Sequence, residues 1–486
     1  MADSRRAAER VMNRMQRLVK AQQRIIFFLL SLILAFMATF FVSINEPEFT
    51  LTQQYVLFIL VFAVSLWITE AIPPFSVGLL IVGLLIFLLS SVGGIGNDQP
   101  GSIDVKVFVD TWSNSVIWLM LGGFFMAHAL KTTKLDVDLF KFTILHVGNN
   151  AQRVLLGIMG ATAIASMVMS NTATTAMMVA STMPLINRLG DNHNLSKALI
   201  LGIPAAAAIG GMGTIIASPP NAIAIEAINS LTRNHPSNAI GFLEWMVIGV
   251  PLAIVLTLIL WYVFLRYFKI SQQEVDLEFL KVQNPTDAGE RFQKRFVLWV
   301  MAGTVLLWLT GNFHGIPAAA VSGIPIILLP MVGIVTSDDV RELPWDTLML
   351  VAGGLSLGLA IQESELAQFF VDKLKNFSFN EFVFMLVFAF VTVILSNVMS
   401  NTATATILIP VASILPGVDP ILMALVIGFS ASCALFLPVS TPPNAIAYST
   451  GLVSQKDFRV GGITIGLLGP VFIIAILLLL KIIGYI

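Results

Sequence analysis

Two polar words are each written twice in an otherwise apolar sequence. Ser170-Asn171-Thr172-Ala173-Thr174 returns as Ser400-Asn401-Thr402-Ala403-Thr404, 230 residues further on. Pro219-Pro220-Asn221-Ala222-Ile223-Ala224 returns as Pro442-Pro443-Asn444-Ala445-Ile446-Ala447, with Ser218 before one copy and Thr441 before the other. The carboxamides of Asn171 and Asn401 and the hydroxyls of Ser170, Thr172, Ser400 and Thr402 are hard oxygen ligands, suited to a cation such as sodium. A proline pair removes two backbone donors and forces an unwound stretch. That frees carbonyls on one side of the break and amides on the other. Carbonyls take cations, and amides at a helix amino terminus take anions. No Lys or Arg stands within these words, so a dianion held there needs bound cations and helix dipoles to balance it. Cation and anion sites side by side stabilise each other, which is coupling. One isolated Ser-Asn-Thr in a membrane helix is more commonly a packing and hydrogen-bonding device. Duplication beside paired proline breaks favours a transport site.

The surrounding chain reads as one that crosses a bilayer many times. Of its 486 residues, 57% are hydrophobic and 11% charged, against roughly 25% charged in soluble domains. The mean hydropathy is +0.88. Continuous apolar runs at 25–44, 55–69, 246–268 and 463–483 approach or exceed the length of a span. They predict an all-α polytopic membrane protein and disfavour a β-barrel, whose strands alternate. The net charge of −1 carries no message about partners, and nucleic acid is not expected among them. Residues 1–24 concentrate Arg5, Arg6, Arg10, Arg14, Arg17, Lys20 and Arg24, with apolar residues on one helical stripe. This predicts an amphipathic helix on an anionic cytoplasmic leaflet, rather than a signal peptide.

With the amino terminus cytoplasmic, a first span covers 25–44, and spans near 51–70, 75–91 and 113–130 follow. The loop 92–112, with Asp98, Asp104 and Asp110, falls outside. The stretches 131–153 and 266–295 fall inside; they carry Lys131, Lys134, Lys141 and Arg153, and Arg266, Lys269, Lys281, Arg291, Lys294 and Arg295. Segment 154–188 has basic residues at both ends and the polar word in its middle. It is expected to enter and leave by one face, as a re-entrant helical hairpin with Ser170, Asn171 and Thr172 at its tip. Residues 196–232 form a span broken at the proline pair.

Further echoes appear in the same order. Leu66-Trp67 matches Leu307-Trp308, and the run 118–130 matches 347–361. Together they indicate an internal duplication. An odd number of crossings per copy turns the second copy upside down. The expected architecture is two inverted-topology repeats, 51–268 and 296–486, each of five spans plus one re-entrant hairpin. The extra amino-terminal span brings the total to about 11 transmembrane helices, and a cytoplasmic linker, 269–295, joins the copies.

At these residues the sequence resembles the divalent anion/sodium symporter family, the sodium-coupled dicarboxylate transporters, over nearly the whole chain after residue 50. The resemblance implies a homodimer in the cell (inner) membrane. Each protomer would have scaffold parts at 51–130 and 296–362 and mobile transport parts at 150–268 and 380–486, working as an elevator. It implies at least two sodium sites, one near Ser166, Ser170, Asn171 and Ala217, the other near Ser396, Met399, Asn401 and Ser440, several of them through backbone carbonyls. It places substrate carboxylates against Ser170, Asn171, Thr172, Ser218, Pro219, Ser400, Asn401, Thr402, Thr441 and Pro442. Both Ser-Asn-Thr words are intact, which favours symport over exchange. The anion is expected to be succinate, malate or fumarate; citrate or sulfate would fit nearly as well.

Other candidates fall outside this pattern. Glu226 lies beyond the first proline pair, and its counterpart in the second copy is Ser449. It is expected to have a structural or cavity-facing role rather than to carry a coupled proton. Glu70 beside Pro73-Pro74 reads as interfacial. The five histidines, 128, 146, 193, 235 and 314, have no metal-binding spacing. Cys433, the single cysteine, reads as a small buried apolar residue. An intramembrane hydrolase would need a nucleophile with its base, or a metal set, within the spans, and neither is visible. An anion channel stays open as an alternative.

Overall fold

A computed structural model describes residues 2–89, 103–190, 194–232, 240–272, 274–277, 287–374, 380–413, 415 and 417–485, without the side chains of 2–20, 145, 312, 371 and 374. Asp98, Lys281, His193, His235, most of the loop 92–112 and the middle of the linker lie outside the described residues, as does the side-chain stripe expected on 2–20. Among the described residues all regular structure is helical, apart from an isolated bridge between Asn150 and Glu274. Eight helices there are long and apolar enough to cross a membrane, and five shorter apolar helices accompany them. This is an integral, polytopic, helical membrane protein.

The chain divides into two compact units. The first, 1–112 with 346–375, holds α1 (Ala2–Asn45), α2 (Leu51–Thr69), α3 (Pro74–Leu89), α4 (Val105–Val109), most of α17 (Trp345–Glu363) and α18 (Leu366–Leu374). The segments 1–24 and 25–44 fall within the single uninterrupted helix α1. α2 opens on a reciprocal cap: Thr50 Oγ1 accepts from Gln53 N at 3.3 Å, and Gln53 Oε1 accepts from Thr50 N at 3.0 Å. It stops at Glu70, whose φ of 49° is left-handed, just before the proline pair. α3 and α17 meet backbone to backbone, since a Cβ on Gly353 would lie 2.2 Å from the Gly78 Cα.

The second unit, 113–345 with 376–486, carries the repeated words. It holds α5 (Ser115–Thr132), α6 (Leu135–Val147), α7 (Ala151–Ser166), α8 (Asn171–Leu189), α9 (Asn194–Gly210), α10 (Pro219–Leu231), α11 (Phe242–Tyr267) and α12 (Ala288–Leu309). Short helices follow: α13 (Gly311–His314), α14 (Ala318–Val321), α15 (Gly323–Met331) and α16 (Ser337–Arg341). After the excursion through the first unit come α19 (Glu381–Val398), α20 (Asn401–Ser413), α21 (Pro420–Ser430), α22 (Pro442–Ser449) and α23 (Gln455–Ile482).

The base of the first helix pair, α7 and α8, is tied down by the chain that follows α11. Asn150 Oδ1 caps α7 through Gln152 N at 2.9 Å. Val275 N donates to Asn149 O at 2.8 Å, and Gln152 Nε2 donates to Ile270 O at 2.9 Å. Arg188 pairs with Asp276. At the base of α19, Asn380 caps the helix through Phe382 N at 3.0 Å. Glu381 there receives Lys481 Nζ at 3.1 Å and Asp419 N at 3.0 Å.

Three features go beyond the sequence expectation. The stretch 131–153 contains a helix, α6, with Asp136, Phe140 and Ile144 buried one turn apart. A helix also follows α17, namely α18. Helix also reaches into the stretch 269–295, because Asp287 Oδ1 accepts from Ala288 N at 2.7 Å and starts α12 just over two turns before the apolar run at Phe296.

Candidate functional site

Both Ser-Asn-Thr words sit at a break between two helices. α7 ends at Ser166, and α8 begins at Asn171 with Ser170 as its N-cap, Ser170 Oγ accepting from Ala173 N at 3.2 Å. α19 ends at Val398, Met399 is extended with φ −127° and ψ 178°, and α20 begins at Asn401. Ser400 Oγ accepts from Ala403 N at 3.1 Å. A serine is a strong N-cap because its oxygen takes one of the orphan amides of the first turn. Here it leaves the remaining amides and the positive end of the helix at each tip. Ser170, Thr172 and Ser400 are exposed, and Asn171, Asn401 and Thr402 are half-buried.

The proline pairs make the second kind of break. α9 ends at Gly210, a single 3-10 turn covers Ile215–Ala217, Ser218 is extended, and Pro219 starts α10. α21 ends at Ser430, a 3-10 turn covers Ala431–Cys433, Thr441 is extended, and Pro442 starts α22. Proline suits the first helical position, where its missing amide costs nothing. Thr441 Oγ1 accepts from Asn444 N at 3.4 Å, whereas Ser218 makes no such side-chain cap.

The asparagine of each Pro-Pro-Asn folds back onto the unwound stretch. Asn221 Nδ2 donates to Gly211 O at 2.7 Å and Thr214 O at 2.8 Å. Asn444 Nδ2 donates to Leu437 O at 3.0 Å and to Ser440 Oγ at 3.3 Å. The bond spans seven residues in both copies, to Thr214 in one and Leu437 in the other. These buried amides satisfy carbonyls that the break would orphan. Trp245 Nε1 takes a further one, Met212 O, at 2.9 Å.

Tips and breaks are joined. Ser166 Oγ lies 2.7 Å from Asn171 Oδ1 and 2.8 Å from Ala207 O. Thr214 Oγ1 donates to Met167 O. Gly211 abuts the Asn171 carboxamide, for a Cβ there would come within 2.5 Å of Asn171 Oδ1. On the other side, Asn397 Oδ1 accepts from Phe436 N at 2.9 Å. Ser440 Oγ donates to Leu437 O at 2.8 Å. The halves also interlock: α10 packs on α20 and α21, while α22 packs on α8 and α9. The half-helix leaving each proline break therefore lies against the hairpin of the opposite copy.

Ala217 and Ser218 are buried at the first break, and Ser396 is buried one turn before the second tip. Glu226 is buried, and its Oε1 accepts from Asn114 Nδ2 at 2.6 Å. Asn114 Oδ1 in turn caps α5 through Val116 N at 2.9 Å. Sequence reading passed over Gly211, Thr214, Asn397, Asn221 and Asn444. The two Pro-Pro asparagines could have been found, because they recur within the duplicated words.

A membrane bundle whose polar residues collect at interrupted helices is the build of a transporter. Residues 64–428 match the family model described as citrate transporter. The chain is 32% identical over 458 residues to the sodium-dependent dicarboxylate transporter SdcS of Staphylococcus saprophyticus, covering 87% of this chain and 85% of the relative. It is 31% identical over 461 residues to the protein of that name from Staphylococcus aureus, with the same coverage. The chain belongs to the divalent anion/sodium symporter family and is a transporter, not an enzyme. Among solved structures it is similar to the Neisseria gonorrhoeae MtrF efflux pump, with TM-score 0.54, 11% identity, and coverage of 85% of this chain and 96% of that one. For the Alcanivorax borkumensis YdaH transporter the TM-score is 0.52 and the identity 13%, over 85% of this chain and 99% of that one. At such identities these two likenesses concern the fold alone.

Proposed function

We propose that this protein is a secondary active transporter that couples sodium to the uptake of C4-dicarboxylates such as succinate, malate and fumarate. The relatives named sodium-dependent dicarboxylate transporters support this reading. The observation that carries it is the pairing of two serine-capped helix amino termini with two unwound segments, in words that contain no Lys or Arg.

One sodium is held by Ser166, Ser170, Asn171 and the Ala217 backbone, the other by Ser396, Met399 O, Asn401 and Ser440. The dianion then meets Ser170, Asn171, Thr172, Ser218, Pro219, Ser400, Asn401, Thr402, Thr441 and Pro442. Helix ends supply about half a positive charge each, so two bound sodium ions provide most of the balance. Sodium therefore comes first, and without it the dianion meets only the partial charges of the helix ends. Ser396 Oγ and Asn401 Oδ1, buried without a partner among the described residues, fit a cation, which satisfies lone pairs without a donor hydrogen.

In this reading the halves are inverted repeats with about 11 spans. The hairpins and broken helices move as an elevator within a homodimer, and the amino terminus is cytoplasmic. Uptake of radiolabelled succinate into proteoliposomes in sodium or choline buffer, with citrate, sulfate and glutamate as competitors, tests it. Saturable, sodium-dependent, succinate-selective uptake is expected. Dominant competition by citrate would shift the substrate toward the family model's description. Equal flux with no gradient would mean a channel.

A further inference from the structure

The two halves carry the same words, but their buried oxygens are not in the same state. In the first half, Ser166 Oγ already lies within hydrogen-bond distance of Asn171 Oδ1 and Ala207 O, at 2.7 and 2.8 Å. In the second half, the counterparts Ser396 Oγ and Asn401 Oδ1 are buried with no partner among the described residues. Ser430 Oγ, Ser432 Oγ and Thr404 Oγ1 are in the same condition, and all three residues are 0% exposed. Counting back from the proline pairs, Ser430 stands where the first half has Ala207, and Ser432 stands where it has Ile209. The first half also buries Thr174 Oγ1, Thr175 Oγ1, Thr182 Oγ1 and Asn221 Oδ1 without partners among the described residues. It has no hydroxyl at the two positions where the second half has serine.

The orphan oxygens of the second half sit on elements packed together. The 3-10 turn Ala431–Cys433, which contains Ser432, packs on α19, α20 and α21. Asn397, next to Ser396, binds Phe436 N at 2.9 Å. Ser440 Oγ reaches back to Ala434 O at 3.4 Å, two residues beyond Ser432. A buried polar oxygen without a partner is costly, and four hydroxyls and one carboxamide oxygen in that state on mutually packed elements suit a hard cation.

We propose that the second half's cation site extends to Ser430 and Ser432, and that it binds sodium more tightly than the first half's site and fills before it. This rests on the sodium-coupled reading and deepens it. In the first half, an ion competes with the Ser166–Asn171 hydrogen bond. In the second half, the oxygens of Ser396 and Asn401 have no hydrogen bond to give up among the described residues, and two further unpartnered hydroxyls, those of Ser430 and Ser432, are available beside the hydrogen-bonded Ser440.

The test is thermal stabilisation of the purified full chain by sodium chloride, titrated against potassium chloride at constant ionic strength and without substrate. Wild type should show two sodium phases. S430A and S432A should each shift the tighter phase to about tenfold higher sodium, the loss expected for one good oxygen contact. Without sodium they should be as stable as wild type or more so, because a buried orphan has been removed. Ser166→Ala should abolish only the weaker phase. An unchanged tight phase in both S430A and S432A, alongside a sodium response in wild type, overturns the extended site while leaving sodium coupling intact. Loss of stability without sodium in both variants would assign the serines to packing and overturn it as well. A wild type that responds alike to sodium and potassium removes the sodium reading and this inference together.

Discussion

At the scale of single residues, the proposed site depends on close approach and on carbonyls kept satisfied. Gly211 touches the Asn171 carboxamide, with only 2.5 Å available to an added Cβ. Gly211→Ala should therefore displace the proposed sodium ligand and cut sodium-dependent uptake at least about tenfold in proteoliposomes, while the protein still folds; one displaced oxygen contact is worth that factor. Asn221→Ala and Asn444→Ala each strip partners from buried carbonyls and should lower unfolding stability by about 1–3 kcal/mol, read as a drop in melting temperature. Outside the spans, burial raises the Asp136 carboxyl above its usual range, with the Val137 amide partly opposing it. A carboxyl whose folded pKa is raised contributes stability that is fully present below its unfolded pKa and is lost as pH rises through the folded value. Asp136→Asn should accordingly raise the melting temperature at neutral pH and leave it unchanged below the carboxylate range. The polar words themselves were legible in sequence because serine, asparagine and proline are conspicuous among apolar residues. Gly211, Thr214 and Asn397 were not, since their roles arise from the opposing segment and have no local signature.

At the scale of elements, the breaks were the most readable part of the chain. A hairpin expected over 154–188 is α7 and α8, Ala151 to Leu189, broken at the expected word. The span expected over 196–232 is α9 and α10, interrupted before the proline pair. Proline at the first helical position and serine at the cap state these boundaries in local chemistry. The helices α6 and α18 were not foreseen, because each is short and only one stripe of it is apolar. The interlock of α10 with α20 and of α22 with α8 could not be foreseen either, being a tertiary pairing between distant segments. The breaks carry a prediction of their own. Replacing Pro219 and Pro220 together by alanine restores two backbone donors and lets helix propagate into the unwound stretch. Uptake should fall by at least about tenfold while the protein stays folded, if carbonyls of that stretch hold an ion. Uptake at the wild-type rate would mean that the unwound stretch does not serve the ion.

At the scale of the whole molecule, the proposed mechanism needs two oppositely oriented halves that bring their polar tips to one place. In a background lacking Cys433, single cysteines at Arg153 and Asp419 mark the bases of the two hairpins. A membrane-impermeant maleimide applied to intact cells should label position 419 and leave position 153 untouched until the membrane is opened. Labelling of both from one side would remove the inversion. The most direct test of the central claim is equilibrium binding of radiolabelled succinate to the purified protein in lipid nanodiscs, in sodium and in choline, for wild type, Asn171→Ala and Asn401→Ala. Binding by wild type in sodium alone, and its loss in each single variant, is the predicted result. Sodium-independent binding, or wild-type affinity in either variant, would contradict a site built jointly by the two halves.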